Sequence, residues 1–397
     1  GEDATALETS GRDPERLKTL RAELESLQRQ QKPLLAESEF SQTYVEAGGT
    51  GLNASTSHDW TNYYVSLPSN RLELWMLMES ERFRDPVLRG FYSERNVVPE
   101  ERRMRTDTNP GGLLYEQFLA SAFLAHPYHV PVIGWMPDIQ RLTMADARDF
   151  YQRYYSPHNA CGILVGDIDV ATTRDLLKRY FGRIPRRGNP PPVRTTEPPQ
   201  RGERRVEVCF EAAPQLLMGY HKPATPDPDD TAADLLAGVL GDGRTSRLFR
   251  RLVLKDGIAQ GVNAWNGTPG DRYDNLLVVS AQPIKGHTTA ECETAINEEI
   301  ARVAAEGVTE AELARARASF EMAVMERLST NAGIAKLLAN SMLITGDWRE
   351  PWRFLERIRQ VTPADLQAFA VKYLVRGNRT VAVLVDTRPE TTAPVQP

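Results

Sequence analysis

The chain has 397 residues, of which 41% are hydrophobic and 25% charged, and its formal net charge is −5. These values are typical of a globular protein with room for two or three domains, and so small a charge gives no global indication of a nucleic-acid or anionic-membrane partner. No stretch approaches the roughly 18 apolar residues that a membrane-spanning helix needs. Three widely spaced cysteines, Cys161, Cys209 and Cys292, favour buried free thiols over a disulfide framework.

A charged helix is predicted near the start of the chain. Four leucines between Pro14 and Gln31 recur at heptad spacing among Arg, Glu and Gln side chains. One narrow apolar seam is typical of a helix that lies on its own domain, and two heptads are too few to predict a coiled coil. We interpret residues 1–40 as a charged helical insertion or N-terminal segment.

Signals for strands and helices alternate in the residues that follow. Asn53–Leu67 is rich in Thr, Tyr and Val, which predicts an extended strand, and Cys161–Val165 predicts a short buried strand. Helices are predicted from periodicity and capping residues, and the third of them opens with Thr143 as its N-cap. These helices are Leu72–Phe83, Glu94–Arg105, Ile139–Tyr155 and Thr172–Phe181.

An internal repeat is the strongest signal of organisation. The sequence from Ile139 to Asp146 is echoed from Ile358 to Asp365, at an offset of 219 residues (358 − 139). The register continues without a gap, since Phe150, Tyr154 and Asn159 match Phe369, Tyr373 and Asn378. Both copies then run into a pattern typical of a β-strand, so we infer a duplicated domain.

The repeat predicts an α+β fold of two homologous α/β domains in tandem, each a mixed, largely antiparallel sheet packed with helices. The first domain is predicted at residues 41–185 and the second at residues 205–389, with a linker at 186–204 and a tail at 390–397. Ile184–Pro199 supports the linker because it is rich in Pro and Arg and has no periodicity. The charged helix occupies the opening of the first copy, so we expect the first domain to lack its N-terminal portion.

Three clusters in the first half of the chain carry a family resemblance. They are Gly48–Tyr64 (GGTGLNASTSHDWTNYY), Phe91–Glu101 (FYSERNVVPEE) and Ala125–Tyr128 (AHPY), the last followed by a Leu-Thr-x-x-Asp helix that leads into YYSPHN. The combination resembles the insulinase/pitrilysin (inverzincin) zinc metallopeptidases, in particular their bacterial and mitochondrial-processing-peptidase-like branch. The resemblance extends from Gly48 to about Val385.

Two carboxylates are candidates for the metal site that this resemblance implies. Glu94 and Glu101 are seven residues apart, so on a helix they share one face. From the residues alone a solvated Glu/Arg face is the simpler interpretation, because arginines are adjacent to both. The resemblance implies that Glu101 is a zinc ligand and that Glu94 is a catalytic carboxylate that orients the site from outside the ligand set. Pro99 either kinks this helix or starts a fresh one.

The strand before this helix is a candidate binding surface for a peptide. Gly48–Gly51 and the small side chains of Ala54 and Ser55 leave room for another backbone. An exposed strand edge has unpaired N–H and C=O groups that can add an extended peptide as a further strand. The resemblance implies that Asn53 and Ala54 hold the substrate main chain. The alternative is an ordinary half-buried strand with a glycine-rich turn.

The family's zinc-binding H-x-x-E-H motif is absent from this sequence. None of the six histidines pairs with another at i, i+4 beside a Glu. His126 and His129 are three residues apart, with Pro127 between them, and are better interpreted as surface or core residues than as ligands. We therefore expect zinc as the cofactor, with a site that is incomplete in this chain and a missing motif upstream of Gly1. A naturally metal-free relative is the alternative.

The second domain also departs from the family pattern. Val239–Phe249 resembles the family's Gly-rich turn and Ser-Arg-Leu helix. In active members this segment is followed by an Arg and, seven residues later, by a Tyr, and both bind substrate. Here those positions hold Val253 and Gln260, which lack the guanidinium and the phenol, unless the match is one turn off and Arg250 or Arg251 takes part. The departure implies a partner subunit of the same family that supplies the Arg/Tyr pair.

The resemblance thus implies the zinc-bearing half of a two-component endopeptidase that cleaves unfolded peptides, inactive as this chain alone. The alternative is a catalytically inactive paralogue that serves as scaffold or substrate-binding partner. Neither interpretation involves a nucleic acid or a membrane span. By resemblance, we expect a periplasmic or otherwise extracytoplasmic bacterial location.

Overall fold

The computed structural model describes residues 14–31 and 39–388. The predicted tail at 390–397 and the N-terminal residues 1–13 lie outside the described residues. The described residues form two compact units, of which the first comprises residues 14–31, 39–56, 61–102 and 133–193, and the second residues 57–60, 103–132 and 194–388. The domain boundaries given above stay predictions.

The described helices and strands are numbered in chain order. The α-helices are α1 Pro14–Gln31, α2 Glu39–Glu46, α3 Leu72–Arg84, α4 Phe91–Arg102, α5 Pro110–Ala122, α6 Met136–Arg141, α7 Met144–Tyr154, α8 Val170–Phe181, α9 Pro228–Gly241, α10 Thr289–Glu306, α11 Glu310–Leu328, α12 Asn331–Thr345, α13 Glu350–Gln360 and α14 Pro363–Tyr373. The strands are β1 Thr50–Thr56, β2 Thr61–Ser66, β3 Arg204–Phe210, β4 Gln215–Lys222, β5 Ala259–Thr268, β6 Asn275–Pro283 and β7 Arg379–Asp386.

The predicted extended strand at Asn53–Leu67 is wrong, because this segment forms parts of two strands. β1 and β2 pair antiparallel, and residues 57–60 reverse the chain between them. The Ser57 hydroxyl accepts hydrogen bonds from the amides of Asp59 and Trp60, at 3.2 and 3.3 Å. A serine that bonds the backbone two and three residues ahead closes a turn locally, which composition alone did not reveal.

The predicted buried strand at Cys161–Val165 is also wrong. Residues 161–165 form no strand, and their side chains are exposed or half-buried. A strand needs a neighbour to satisfy its backbone groups, and no described segment pairs with this one. Two of the three cysteines contradict the expectation of buried thiols, since only Cys292 is buried, although all three are free.

Three predicted helices are confirmed with shifted ends, and one is divided. α3 and α8 match their predictions within a few residues, and α4 extends through Arg102 with Pro99 inside it. The predicted helix Ile139–Tyr155 is two helices, α6 and α7, because Thr143 caps α7 as predicted. Its hydroxyl accepts from the Asp146 amide, and the Asp146 carboxylate accepts from the Thr143 amide.

The second unit is built on a five-stranded sheet in the order β3-β7-β4-β6-β5. β3 and β7 run parallel and the other neighbours antiparallel, which confirms the mixed, largely antiparallel sheet. Along β6, Leu277 and Val279 pack into one hydrophobic cluster while Leu276 and Val278 pack into another. Because alternate side chains of a strand point to opposite faces, this sheet is covered on both sides.

The two faces are covered by different helices. One face packs against α9, α10 and α14, and the other against α5, whose Leu114 and Phe118 are almost fully buried. A Cβ on Gly219 of β4 would lie 2.4 Å from Cζ of Phe118. Only glycine allows the ring to lie so close to the strand.

The internal repeat is visible as matching elements. α7 and α14 differ by the same 219 positions as the sequence copies, and each is followed by a 3-10 turn, at Pro157–Asn159 and Arg376–Asn378. The side-chain amides of Asn159 and Asn378 donate to the carbonyls five residues earlier, at 2.8 and 2.9 Å. The copies then diverge, because only the second continues into a strand, β7.

Candidate functional site

The edge of β1 is the first part of the candidate site. Among the described residues β1 pairs only with β2, with Asn53 opposite Tyr64 and Ala54 opposite Tyr63. Asn53 and Ala54 are exposed, and Gly51 has a φ of 65° beside an irregularity in the register. A strand paired on one side presents main-chain donors and acceptors on the other.

The Asn53 side chain already bonds to this strand. Its Oδ1 accepts a hydrogen bond from the amide of Ala54 at 2.7 Å. The bond occupies a main-chain donor at the position where a peptide is expected. A strand added through that amide would therefore displace the Asn53 side chain from it.

An aromatic and ionic cluster supports the hairpin from β2. The phenol oxygens of Tyr63 and Tyr155 are 2.7 Å apart, and the Arg82 guanidinium lies 4.0 Å from the centre of the Tyr63 ring. Arg82 also forms an ion pair with Glu79, whose carboxylate accepts from the Tyr44 phenol at 2.8 Å. Burial, together with the hydrogen bond that joins it to Tyr63, raises the pKa of Tyr155 above its ordinary value.

The two candidate carboxylates lie on α4, which carries Pro99 in its interior without ending there. Glu94 is exposed and Glu101 half-buried. Seven residues of helix separate them by about 10 Å along the axis.

Arginines beside these carboxylates bind backbone within the first unit. The Arg102 guanidinium donates to the carbonyl of Gly134 at 2.8 Å and lies 5.6 Å from the Trp135 ring centre. Arg95 donates to the carbonyl of Leu142 at 3.2 Å. The Glu/Arg face is therefore not simply solvated, because its arginines hold α4 to the residues around α6.

The histidines have structural contacts. His126 is buried and accepts from the amide of Tyr128 at 3.2 Å, and His129 bonds the carbonyl of His126 at 2.8 Å. His221 bonds the carbonyl of Ala122 at 2.9 Å. Burial lowers the pKa values of His58, His126 and His221. These contacts support the interpretation of His126 and His129 as structural residues.

The Gly-rich turn of the second unit is held together by its own side chains. The Ser246 hydroxyl donates to the carbonyl of Gly243 at 2.8 Å. Arg247 donates twice to the carboxylate of Glu312, both times at 2.7 Å. These bonds lower the pKa of Glu312 to about 2. A Cβ on Gly241 would lie 2.0 Å from the amide of Ala264, so this glycine permits close packing of α9 on β5.

Val253 and Gln260 differ in their burial. Val253 is part of a π-helix, Phe249–Lys255, and packs against the hydrophobic core. Gln260 is exposed at an irregularity in β5. Neither arrangement supplies a cation or a phenol at these positions.

Sequence reasoning missed a cluster of arginines close to the same turn. An open cavity of about 340 Å³ is lined by Arg244, Thr245, Arg250, Leu254 and Arg315. The signal that could have found it is the run of basic residues between Arg244 and Arg251. Arg315, more than sixty positions away, could not have been joined to that run without the fold.

Comparisons with known proteins bear on this geometry. Residues 141–320 match the family model described as the peptidase M16 inactive domain. The chain is 30% identical over 354 residues to zinc protease PqqE of Helicobacter pylori, covering 87% of this chain and 78% of that protein. A crystal structure of a protease from Helicobacter pylori superposes with a TM-score of 0.82 at 28% identity, covering 88% and 85% of the two chains. The first half of the periplasmic protease PqqL from Escherichia coli has the same fold, with a TM-score of 0.69 at 21% identity over 87% of this chain and 78% of that one.

The α+β fold and the singly paired strand before a carboxylate-bearing helix define a chain of the M16 peptidase type. The chain belongs to the insulinase/pitrilysin family, whose relatives here are named zinc proteases. The described residues do not fit a zinc ion by themselves. In residues 14–31 and 39–388, no group of three His, Cys, Asp or Glu side chains could hold a metal ion.

Proposed function

We propose that this chain is the peptide-holding, zinc-side subunit of a two-component metalloendopeptidase that cleaves unfolded peptides. The observation that carries the proposal is the edge of β1 at Asn53 and Ala54, which pairs with no other strand among the described residues. An extended peptide can pair with that edge through main-chain bonds, which depend little on side-chain identity. Such binding suits a substrate that is unfolded and variable in sequence.

In this proposal Glu101 is the carboxylate that this chain contributes to the metal, and Glu94 steadies the site from outside the ligand set. The histidines and the general base belong to an H-x-x-E-H segment that is absent from this sequence. Zinc, when bound, would supply a Lewis acid and an activated water. This chain's own part is to hold the peptide main chain.

Val253 and Gln260 stand where the family pattern has an Arg and a Tyr, so the proposal includes a second subunit. A partner of the same family would supply the Arg/Tyr pair that these positions lack. The periplasmic location of PqqL, a protein of the same fold, supports an extracytoplasmic site of action. Among the described residues, no helix is both long enough and apolar enough to cross a bilayer.

The second candidate function is a catalytically inactive paralogue that acts as scaffold or substrate-binding partner. The match to a model described as an inactive domain favours it. Both candidates use the β1 edge to hold peptide. They differ in whether Glu101 binds a metal once the remaining ligands are present.

Hydrogen exchange tests the shared step. A reduced, unfolded peptide is added to the chain, and exchange is followed by mass spectrometry with and without it. We expect residues 50–56 to gain protection while β5, at an edge of the other sheet, stays unchanged. Equal protection of both edges, or none at β1, would contradict strand addition.

Zinc and cleavage measurements separate the two candidates. The chain alone should bind no stoichiometric zinc and cleave no peptide, with or without added zinc. With a segment bearing H-x-x-E-H joined before Gly1, we expect one zinc per chain, and loss of that zinc in Glu101→Gln. Zinc retained at full occupancy in Glu101→Gln would overturn the ligand role, and no zinc in the extended chain would support the scaffold.

A further inference from the structure

The cavity beside the Gly-rich turn of the second unit combines three positive charges. Arg244 follows Gly243, which has a φ of 71°, and Arg250 lies on the π-helix Phe249–Lys255. Arg315 comes from α11. All three side chains are exposed and line the same open space of about 340 Å³.

Neighbouring arginines on the same elements are paired. Arg247 binds Glu312, Arg251 binds Asp256 and Glu298, and Arg317 binds Glu310. In the described part of the chain, by contrast, the guanidinium groups of Arg244, Arg250 and Arg315 have no hydrogen bond or ion pair. The contrast separates the cavity arginines from their nearest arginine neighbours, although Arg327, farther along α11, likewise has no ion pair in the described part of the chain.

The acidic residues close to the cavity in sequence are already engaged. Asp242 accepts from the hydroxyl of Ser319 at 2.7 Å, while Glu312 and Asp256 are held by Arg247 and Arg251. Asp242 keeps its negative charge, because a hydroxyl donor does not neutralise a carboxylate, so the turn sets one unpaired carboxylate against three arginines. Arginine stays charged at every physiological pH, so the cavity keeps a concentrated positive charge.

We propose that this cavity binds a small oxyanion of the phosphate class that carries more than one negative charge. Guanidinium forks match the oxygens of phosphate with paired hydrogen bonds, and the Thr245 hydroxyl adds a further donor. The volume is at the lower end of the roughly 300–1,000 Å³ typical of ligand sites, so a phosphate or pyrophosphate fits better than a nucleotide. This proposal does not rest on peptide cleavage.

Calorimetric titration of the full chain with inorganic pyrophosphate tests the proposal. We expect saturable binding at one site, weakened roughly ten- to a hundredfold in each of Arg244→Ala, Arg250→Ala and Arg315→Ala, as for the loss of one charged hydrogen bond. Arg327→Ala is the matched control, because Arg327 is exposed on the same helix as Arg315 and does not line the cavity. Its affinity should equal that of the unaltered chain.

Thermal unfolding gives a second measurement that does not depend on heats of binding. Pyrophosphate should raise the Tm of the unaltered chain and of Arg327→Ala equally, and raise that of the three cavity variants clearly less at the same concentration. An equal loss in Arg327→Ala would show general charge attraction and overturn the site. Absence of saturable binding, or equal affinity for a triglutamate peptide, would overturn the phosphate assignment.

Discussion

In both copies of the internal repeat a threonine caps a helix by the same set of hydrogen bonds, but only the second copy continues into a strand. Thr143 and Thr362 each form a full capping box with the aspartate three residues later. After the matching 3-10 turns, residues 379–386 form β7 between β3 and β4. Residues 160–167, at the equivalent positions, belong to no strand.

The difference separates local from non-local causes of structure. A capping box closes within four residues, so its sequence is sufficient wherever it occurs. A strand's backbone is satisfied only by neighbours distant in sequence. β7 has two such neighbours, and residues 160–167 have none in the described part of the chain.

The matched phenylalanines give the largest expected contrast. Phe369 is 1% exposed within the core of the second unit, whereas its counterpart Phe150 is 56% exposed. Phe369→Ala should lower the free energy of unfolding by about 3–5 kcal/mol because it leaves a cavity. Phe150→Ala should cost about 0.5 kcal/mol, as surface changes do. Urea unfolding of both variants measures the difference, and equal losses would contradict the unequal burial of the two copies.

Amide hydrogen exchange extends the contrast to the backbone. β7 lies inside a five-stranded sheet, so its amides open only with large-scale unfolding. We expect protection at 379–386 to exceed that at 160–167 on the order of a thousandfold. Comparable protection of the two segments would mean that 160–167 has strand partners in solution.

The matched tyrosines predict a smaller effect. The Tyr373 phenol donates to Asp229 of α9 at 2.6 Å, whereas the Tyr154 phenol has no such bond in the described residues. Tyr373→Phe should therefore cost about 1 kcal/mol of stability, and Tyr154→Phe almost nothing. Denaturation midpoints of the two variants decide this, and the prediction fails if Tyr154→Phe is the more damaging change.

The capping boxes predict the smallest contrast between the copies. Thr143→Ala and Thr362→Ala should each cost about 1 kcal/mol in the unit that contains it, because the two caps are alike. Urea unfolding followed by exchange in α7 and α14 reports each unit separately. A large difference would show that packing, rather than local hydrogen bonding, sets the value of the cap.

Acid should weaken the first of these caps. Hydrogen bonds from Thr143 lower the pKa of Asp146 below its usual value. An acid whose folded pKa is lowered stabilises the fold above its unfolded pKa of about 3.9, and this contribution is lost as the pH falls through the lower folded value. The stability difference between the unaltered chain and Thr143→Ala should therefore shrink below about pH 4. A difference that grows with acid would contradict the ionised cap.

Features with local causes were predictable from sequence. The cap at Thr143, the helix α3 and the register of the repeat all depend on residues a few positions apart. The strand at Cys161–Val165 was predicted from its apolar run, which does not say whether a partner exists. The turn at Ser57 was hidden inside a run with high strand propensity, because a single hydroxyl decides it.

The candidate site likewise has features that the sequence could predict and features that depend on residues distant along the chain. The presence of Glu94 and Glu101 on one helix follows from their spacing, and Pro99 did not prevent it. Their roles, and those of Asn53 and Ala54, stay predictions that the exchange and zinc measurements address. The arginine cavity was beyond sequence reasoning, because α11 brings Arg315 to a turn far from it along the chain.

Helix α5 covers one face of the second unit's sheet. Any shortened version of the protein that contains this sheet must therefore also contain α5. A shortened chain that starts at the linker would keep all five strands but lose Leu114 and Phe118. The sheet face formed by Val208, Leu276, Val278 and Leu384 would then meet water. Such a fragment should aggregate when it is expressed, so a soluble half has to retain residues 103–132 although they precede the linker.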